Sequence, residues 1–334
     1  MENINFGRSY KITFGKPEIQ TSAYITQGAV VGKLPAPDIE HSAVTIPAGD
    51  IVSISNLISE GNDQRGFFFK FNSIRGASSS SSKKERTTLS LYNLNDESIG
   101  ILHQEGVRVI IEAGYDDVTN VVYAGEVVSI LPKTEGQDQI QFITLKDGYS
   151  DIKNTRVSLD IDESLSAEDA LKALVSTFPT ASIGNFSSET LKNTFITGGF
   201  NFYGRTELLI NKFCERYGLV WSRFNGVISV TEEQLVQGTP SYLLAERNTF
   251  TIDADNIKNI DASTSNKGKL SDQKNVKRGV TLYTFLLPIR LDQFFTVPEE
   301  ASKEFAGTYK ITSIGTNLDS RLGPWDTVLK GEPL

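Results

Sequence analysis

Side chains that attack carbonyls, shuttle protons or bind metals are few in this sequence. It has one cysteine, Cys214, and two histidines, His41 and His103. One thiol cannot close an internal disulfide or build a cysteine zinc site by itself. Cys214 falls on the apolar side of a helical pattern, so it reads as a small core residue. An activated thiolate needs an electropositive, partly open setting. His103 lies between Ile101-Leu102 and Gln104-Glu105-Gly106, a sequence that reads as a turn between strands. His41 falls in a stretch with no clear periodicity, and both histidines read as surface residues. A nucleophilic triad lacks its Gly-x-Ser-x-Gly elbow. Asp160-Ile161-Asp162-Glu163 offers alternate carboxylates, but the other ligands and the central glycine of a calcium loop are missing. Gly268-Lys269 lacks the upstream glycine and following Ser/Thr of a phosphate loop. The expectation is no catalytic, cofactor-binding or metal-ligating residue, and no cofactor. Two carboxylates roughly 5–9.5 Å apart are enough for a glycosidase. The 41 acidic residues leave that reading open, but no pattern gathers two of them in a cleft. The basic run Lys267, Lys269, Lys274, Lys277 and Arg278 around Asp272 could meet an acidic partner. Its plain reading is a solvated loop.

Composition narrows the field further. The chain has 334 residues and a net charge of −8, with 39% hydrophobic and 22% charged residues. It can therefore bury cores, and its length predicts about two or three domains. Mean hydropathy is −0.21, and no apolar run approaches the ~18–20 residues of a membrane-spanning helix. The first ten residues carry no basic-then-apolar secretory pattern. The acidic balance argues against a nucleic-acid groove as the main surface.

The elements that must position any site read mostly as strands. Apolar–polar alternation predicts strands over 67–73, 87–94, 107–111, 121–130 and 140–145. Gly125, inside an apolar run, predicts a bulge or tight bend. Helices are expected at 166–175, capped by Ser166 with Glu168 and Asp169 in its first turn, and at 206–217, closed by Gly218. Asn225-Gly226 between Leu219–Phe224 and Val227–Val230 predicts a two-residue hairpin. Further strands are expected at 280–287, 294–297, 309–314 and 326–329. Residues 1–65, 77–82 (serine-rich) and 261–278 read as loops. Phe67–Phe71, Phe294 and Phe295 are candidates for burial between chains, although strand core is the plainer reading. Trp221 and Trp325 fit β-core positions.

Several of these segments together resemble baseplate hub proteins of contractile phage tails. Leu89-Ser90-Leu91-Tyr92-Asn93-Leu94, then Ile110-Ile111-Glu112-Ala113-Gly114-Tyr115, then Val122-Tyr123-Ala124-Gly125-Glu126-Val127 are similar in order to that family's first barrel. Asp147-Gly148, the helix ending at Val175, and Gly204–Trp221 resemble its middle part. Gly279-Val280-Thr281-Leu282, Leu286-Leu287-Pro288, Gly307-Thr308-Tyr309-Lys310-Ile311, Asp319 and Trp325-Asp326-Thr327 resemble its second barrel. Arg290-Leu291-Asp292-Gln293 stands where the family has a glycine turn. The resemblance covers about residues 65–334.

It implies a mainly β fold with a small α+β part, as two antiparallel β-barrel domains flanking a small α+β domain. The expected divisions are an N-terminal elaboration (1–65), a first barrel (66–150), the α+β domain (151–250) and a second barrel (251–334). The implied function is that of a structural hub, a homotrimer whose six barrels match a six-fold tail tube to a three-fold spike. Its implied partners are the tail tube, spike and wedge proteins, with phage DNA passing the lumen unbound and no membrane. The implied location is the virion tail baseplate, assembled in the host cytoplasm. The hub of a contractile secretion or bacteriocin particle is a related reading. A wall hydrolase using a carboxylate pair and a glycan-binding module with Trp221 or Trp325 as platform are the competing readings.

Overall fold

The computed structural model describes residues 7–16, 50–57, 67–76, 85–161, 166–187, 191, 200–232, 249–263 and 279–333. The strands are β1 (Arg8–Gly15), β2 (Ile51–Ser55), β3 (Phe69–Gly76), β4 (Arg86–Tyr92), β5 (Arg108–Tyr115), β6 (Val118–Glu135) and β7 (Asp138–Lys146). They continue as β8 (Arg156–Ile161), β9 (Ser182–Ser187), β10 (Phe200–Arg205), β11 (Leu219–Phe224) and β12 (Val227–Glu232). The last are β13 (Thr249–Thr251), β14 (Ile257–Ser263), β15 (Gly279–Phe285), β16 (Phe294–Val297), β17 (Gly307–Asp319) and β18 (Trp325–Pro333). Helices with full bounds among the described residues are α1 (Asp96–Leu102), α2 (Tyr149–Asn154), α3 (Ala167–Val175) and α4 (Thr206–Arg216).

Thirteen strands form one sheet in the order β14-β15-β18-β17-β3-β4-β7-β6-β5-β1-β2, with β16 on β17 and β13 on β16. All of its pairs are antiparallel except β13–β16. Two separate closed barrels are therefore not what the ladders make: among the described residues no pairing closes a ring. The sheet nevertheless curls. From β3 to β1 is five strand steps, about 24 Å in a flat sheet, yet the Tyr10 and Phe69 rings meet at 4.9 Å. Side chains cross this seam. Arg8 Nη1 donates to Asp319 O at 2.8 Å, and Tyr10 Oη donates to Phe67 O at 3.3 Å. The enclosed core includes Tyr10, Ile12, Phe14, Phe69, Leu89, Ile111, Ile143 and Trp325. In the second half, edge strands β13 and β14 are joined by the 3₁₀ turn Ala254–Asn256. Val280, Leu282, Phe295, Ile311 and Leu329 fill that core. β17 belongs to both halves. Its start pairs with β16, its end with β3, and the register shifts between Ile311 and Ser313.

Several expectations change on this fold. The N-terminal stretch is not all loop: β1 pairs with β5, β2 pairs with β1, and Tyr10, Ile12 and Phe14 are core residues. α1 replaces the expected turn before His103. Asn95 Oδ1 accepts from Ser98 N at 2.8 Å to cap it, with Asp96 and Glu97 in the first turn. Gly125 makes no bulge; it pairs regularly with Val109. A side chain there would collide with the Tyr123 ring, so its role is to give that ring room. Residues 261–263 end β14, while 264–278 and 77–84 lie outside the described residues.

The middle elements pack α3 and α4 on a three-stranded sheet ordered β11-β12-β9. Ser166 Oγ accepts from Asp169 N at 3.1 Å, Gly218 has φ 63° after α4, and Asn225 and Gly226 have φ 54° and 83°. These are the left-handed values that a type I′ hairpin requires. Leu171, Leu174, Ile210, Trp221 and Val230 form the shared core.

Candidate functional site

The reactive residue types turn out to be structural or exposed. Cys214 is fully buried on α4, and burial, with Glu215 adding, pushes its thiol up to about 12. It has no appreciable thiolate at neutral pH. His103 ends α1, is exposed, and lies 3.4 Å from Gln141 Oε1. Asp160 lies on β8, while His41, Asp162, Glu163, Gly268-Lys269 and the Lys267–Arg278 run fall outside the described residues. Trp221 is buried and donates Nε1–H to Asn211 Oδ1 at 2.7 Å. Trp325 is buried and donates to Gly114 O at 3.2 Å. Neither offers a face to a sugar. Phe69, Phe71, Phe294 and Phe295 are core residues of this chain. No group of three or more potential metal ligands gathers among the described residues. The Arg290–Gln293 turn closes without glycine, because Gln293 Oε1 accepts from Arg290 N at 2.8 Å.

The polar side chains that do converge make a joint. β11 and β12 carry their hairpin tip to the junction of the middle layer and the large sheet. The sheet supplies Arg75 from β3, Tyr123 from β6 and Asp147 after β7. Arg223 Nε donates to Asp147 Oδ1 at 2.8 Å and its Nη1 to Asp151 Oδ2 at 2.8 Å. Its Nη2 donates to Thr180 Oγ1 at 2.8 Å, and that hydroxyl in turn donates a hydrogen bond to Asp151 Oδ2 at 2.6 Å. Asp147 Oδ2 accepts from Gly226 N at 3.0 Å. Gly148 permits the arrangement. Its φ is 64°, and a side chain there would run into the Arg223 guanidinium. Arg75 forms the other wall. It donates to Asn225 Oδ1 at 2.9 Å and Val122 O at 2.6 Å, with Phe224 stacked 3.8 Å away. Asn225 Oδ1 also accepts from Ala124 N at 3.0 Å, so one amide side chain ties the hairpin to β3 and β6. Phe224 packs on the second core, and Ser229 Oγ donates to Asp292 Oδ2 at 3.2 Å. All three parts of the molecule meet here.

The electrostatics suit a permanent joint. Burial lowers the pKa of Arg223, but Asp147 and Asp151 more than reverse this and leave it raised. Arg75 is lowered by burial, partly offset by Glu85, Tyr123 and Asp147. The Glu85 carboxyl is raised by burial and by Asp147, against hydrogen bonds from Tyr123 and the Asp147 amide. Tyr123 lies well above its ordinary value, mainly through burial. The enclosed space is about 10 Å³, lined by Arg75, Glu85, Asp147, Ile152, Arg223 and Leu291. That holds about one water at most. A shallower cleft of about 190 Å³ between the β5–β6 hairpin and Leu286–Pro288 is lined by Tyr115, Val118, Val122 and other uncharged residues. The joint ties the middle layer to the large sheet and has no room for a substrate.

Sequence reading missed Arg75, Asp147, Arg223 and Asn225. The available signals were an arginine inside the apolar run Leu219–Phe224 and the Asp-Gly ending β7.

The fold is similar to that of solved phage tail proteins and of a type VI secretion system component. No family model and no curated protein matches the sequence. Among solved structures, an E. coli component of the type VI secretion system, itself described as similar to the T4 tail proteins gp27 and gp5, aligns with TM-score 0.52 and 12% identity. That alignment covers 80% of this chain and 73% of that one. The 43 kDa tail protein of prophage MuSo2 from Shewanella oneidensis aligns with TM-score 0.51 and 8% identity, over 80% of this chain and 97% of its own. In the Francisella PdpA-VgrG complex, one chain aligns over 98% of this protein and 58% of itself, with TM-score 0.51 and 11% identity. At these identities the shared property is the fold.

Proposed function

We propose that this protein is the structural hub of a contractile tail baseplate. It acts as a homotrimer, with the two halves of each chain's large sheet as its two ring units. Six units in a ring match the six-fold tube on one side, and three chains match the spike on the other. Wedge proteins anchor around the ring, and DNA passes an acidic lumen that offers no counterion-releasing contacts. The observation that carries this reading is the shared fold over 80% of the chain and 97% of a prophage tail protein. The packed, hydrogen-bonded joint supports it, because rigid alignment of the two half-sheets is what a ring needs. The role is non-enzymatic. The likeness to a type VI secretion component favours a second setting for the same role, the hub of a secretion particle.

The test is assembly. Purified protein is expected to form trimers, or to be recruited into them by its spike or tube protein. A chain that stays monomeric and recruits neither would overturn the proposal.

A further inference from the structure

The two ends of β17 carry opposite charge. At its Asp319 end lie Arg8, Lys70 and Arg321: Arg8 Nη1 donates to the Asp319 backbone oxygen at 2.8 Å, Lys70 Nζ is 3.9 Å from Asp319 Oδ2, and the Arg321 backbone N–H donates to Asp319 Oδ1 at 2.9 Å. The cations are held in place by rings. Arg321 lies 4.3 Å and Lys70 5.3 Å from the Phe68 centroid. Phe68 is itself stacked 4.0 Å on Tyr92. Arg8 lies 5.6 Å from the Trp325 ring. Beside Arg321, Leu322 is 81% exposed. Arginine ordered on aromatic rings is a combination enriched at protein interfaces.

At the Gly307 end the loop 298–306 presents Glu299, Glu300 and Glu304 against Lys303, all exposed. The loop is pinned, since Tyr309 Oη donates to Phe305 O at 2.9 Å and Ala301 N donates to Pro298 O at 3.2 Å. Ile252 N donates to Thr296 O at 3.3 Å, which brings exposed Asp253 next to it. Thirteen residues of strand separate the two ends, about 40 Å, so they cannot pair within one chain.

We infer that the Arg8–Lys70–Arg321 rim of one copy docks on the Glu299–Glu300–Glu304 loop of the next copy. The occupant is a second copy of this chain, because this chain itself supplies the complementary patch. A contact between two different patches is heterologous and closes into a ring when its rotation permits. This inference rests on the trimeric hub reading and names the surfaces that build it.

Sedimentation velocity on the full chain tests it. K70E/R321E is expected to lose trimers, with a dissociation constant raised about tenfold or more. E299K/E300K is expected to do the same. All four substitutions in one chain restore opposite charges across the contact, and are expected to restore the trimer. Far-UV circular dichroism checks that each variant folds. A trimer indifferent to either pair would overturn the inference while leaving the hub reading intact. Unchanged trimers with lost binding to duplex DNA would overturn it and assign the rim to nucleic acid. A wild-type chain that never associates, alone or with its spike, would overturn both.

Discussion

Arg223 occupies a strand position flanked by buried apolar residues, and its charge survives there because two carboxylates and Thr180 meet its donors. Removing one partner of such a pair strands the other in a dry site, at a cost of about 3–5 kcal/mol. Arg223→Met is therefore expected to lower unfolding free energy by about that amount in denaturant titration. A loss within the error of the titration would show the joint to be dispensable. Glu85 carries the opposite liability. Its carboxyl is raised in the folded protein by burial and by Asp147, so the folded state holds that proton more tightly than the unfolded chain. Its contribution is fully present below the ordinary glutamate value of 4.5 and is lost as pH rises through the raised value. Glu85→Gln is expected to flatten that slope in melting temperatures taken between pH 5 and 7 (by roughly a degree or more), keeping the Tyr123 contact. A slope identical to wild type would contradict the assignment. Cys214, at about 12 and fully buried, is expected to resist thiol reagents in the native protein and to react on unfolding. Rapid native modification would contradict its burial.

Among the elements, the β11–β12 hairpin is where local sequence and tertiary role meet. Asn225-Gly226 was legible as a turn, because the dipeptide fixes its own backbone. That the same Asn225 would bond Arg75 and Ala124 was not legible, because those partners lie 150 and 101 residues away. The strands with strong alternation, β3, β4 and β15, were equally readable. β1 was not, although Ile12 and Phe14 are buried, because its partner β5 comes about a hundred residues later. Gly148 shows the same division. In the sequence Asp147-Gly148 stood out only through the family resemblance, and only the fold shows Arg223 lying where a side chain would be. Gly148→Ala is expected to destabilise by about 1–3 kcal/mol, from left-handed strain plus displacement of the Arg223 guanidinium. A neutral substitution in the same denaturant titration would show that the pair tolerates movement.

At the scale of the molecule, one long strand, β17, is shared between two curled half-sheets, and one polar joint ties the middle layer to both. The relative placement of the halves is thus fixed by contacts within the single chain. The central claim is that three chains place six curled half-sheets around one axis. Electron micrographs of the assembled particle viewed down the tail axis test it most directly. The account expects six densities of similar size in a ring, alternating between the two halves, with three-fold symmetry. A ring with another number of chains, or a single copy at the periphery, would contradict it.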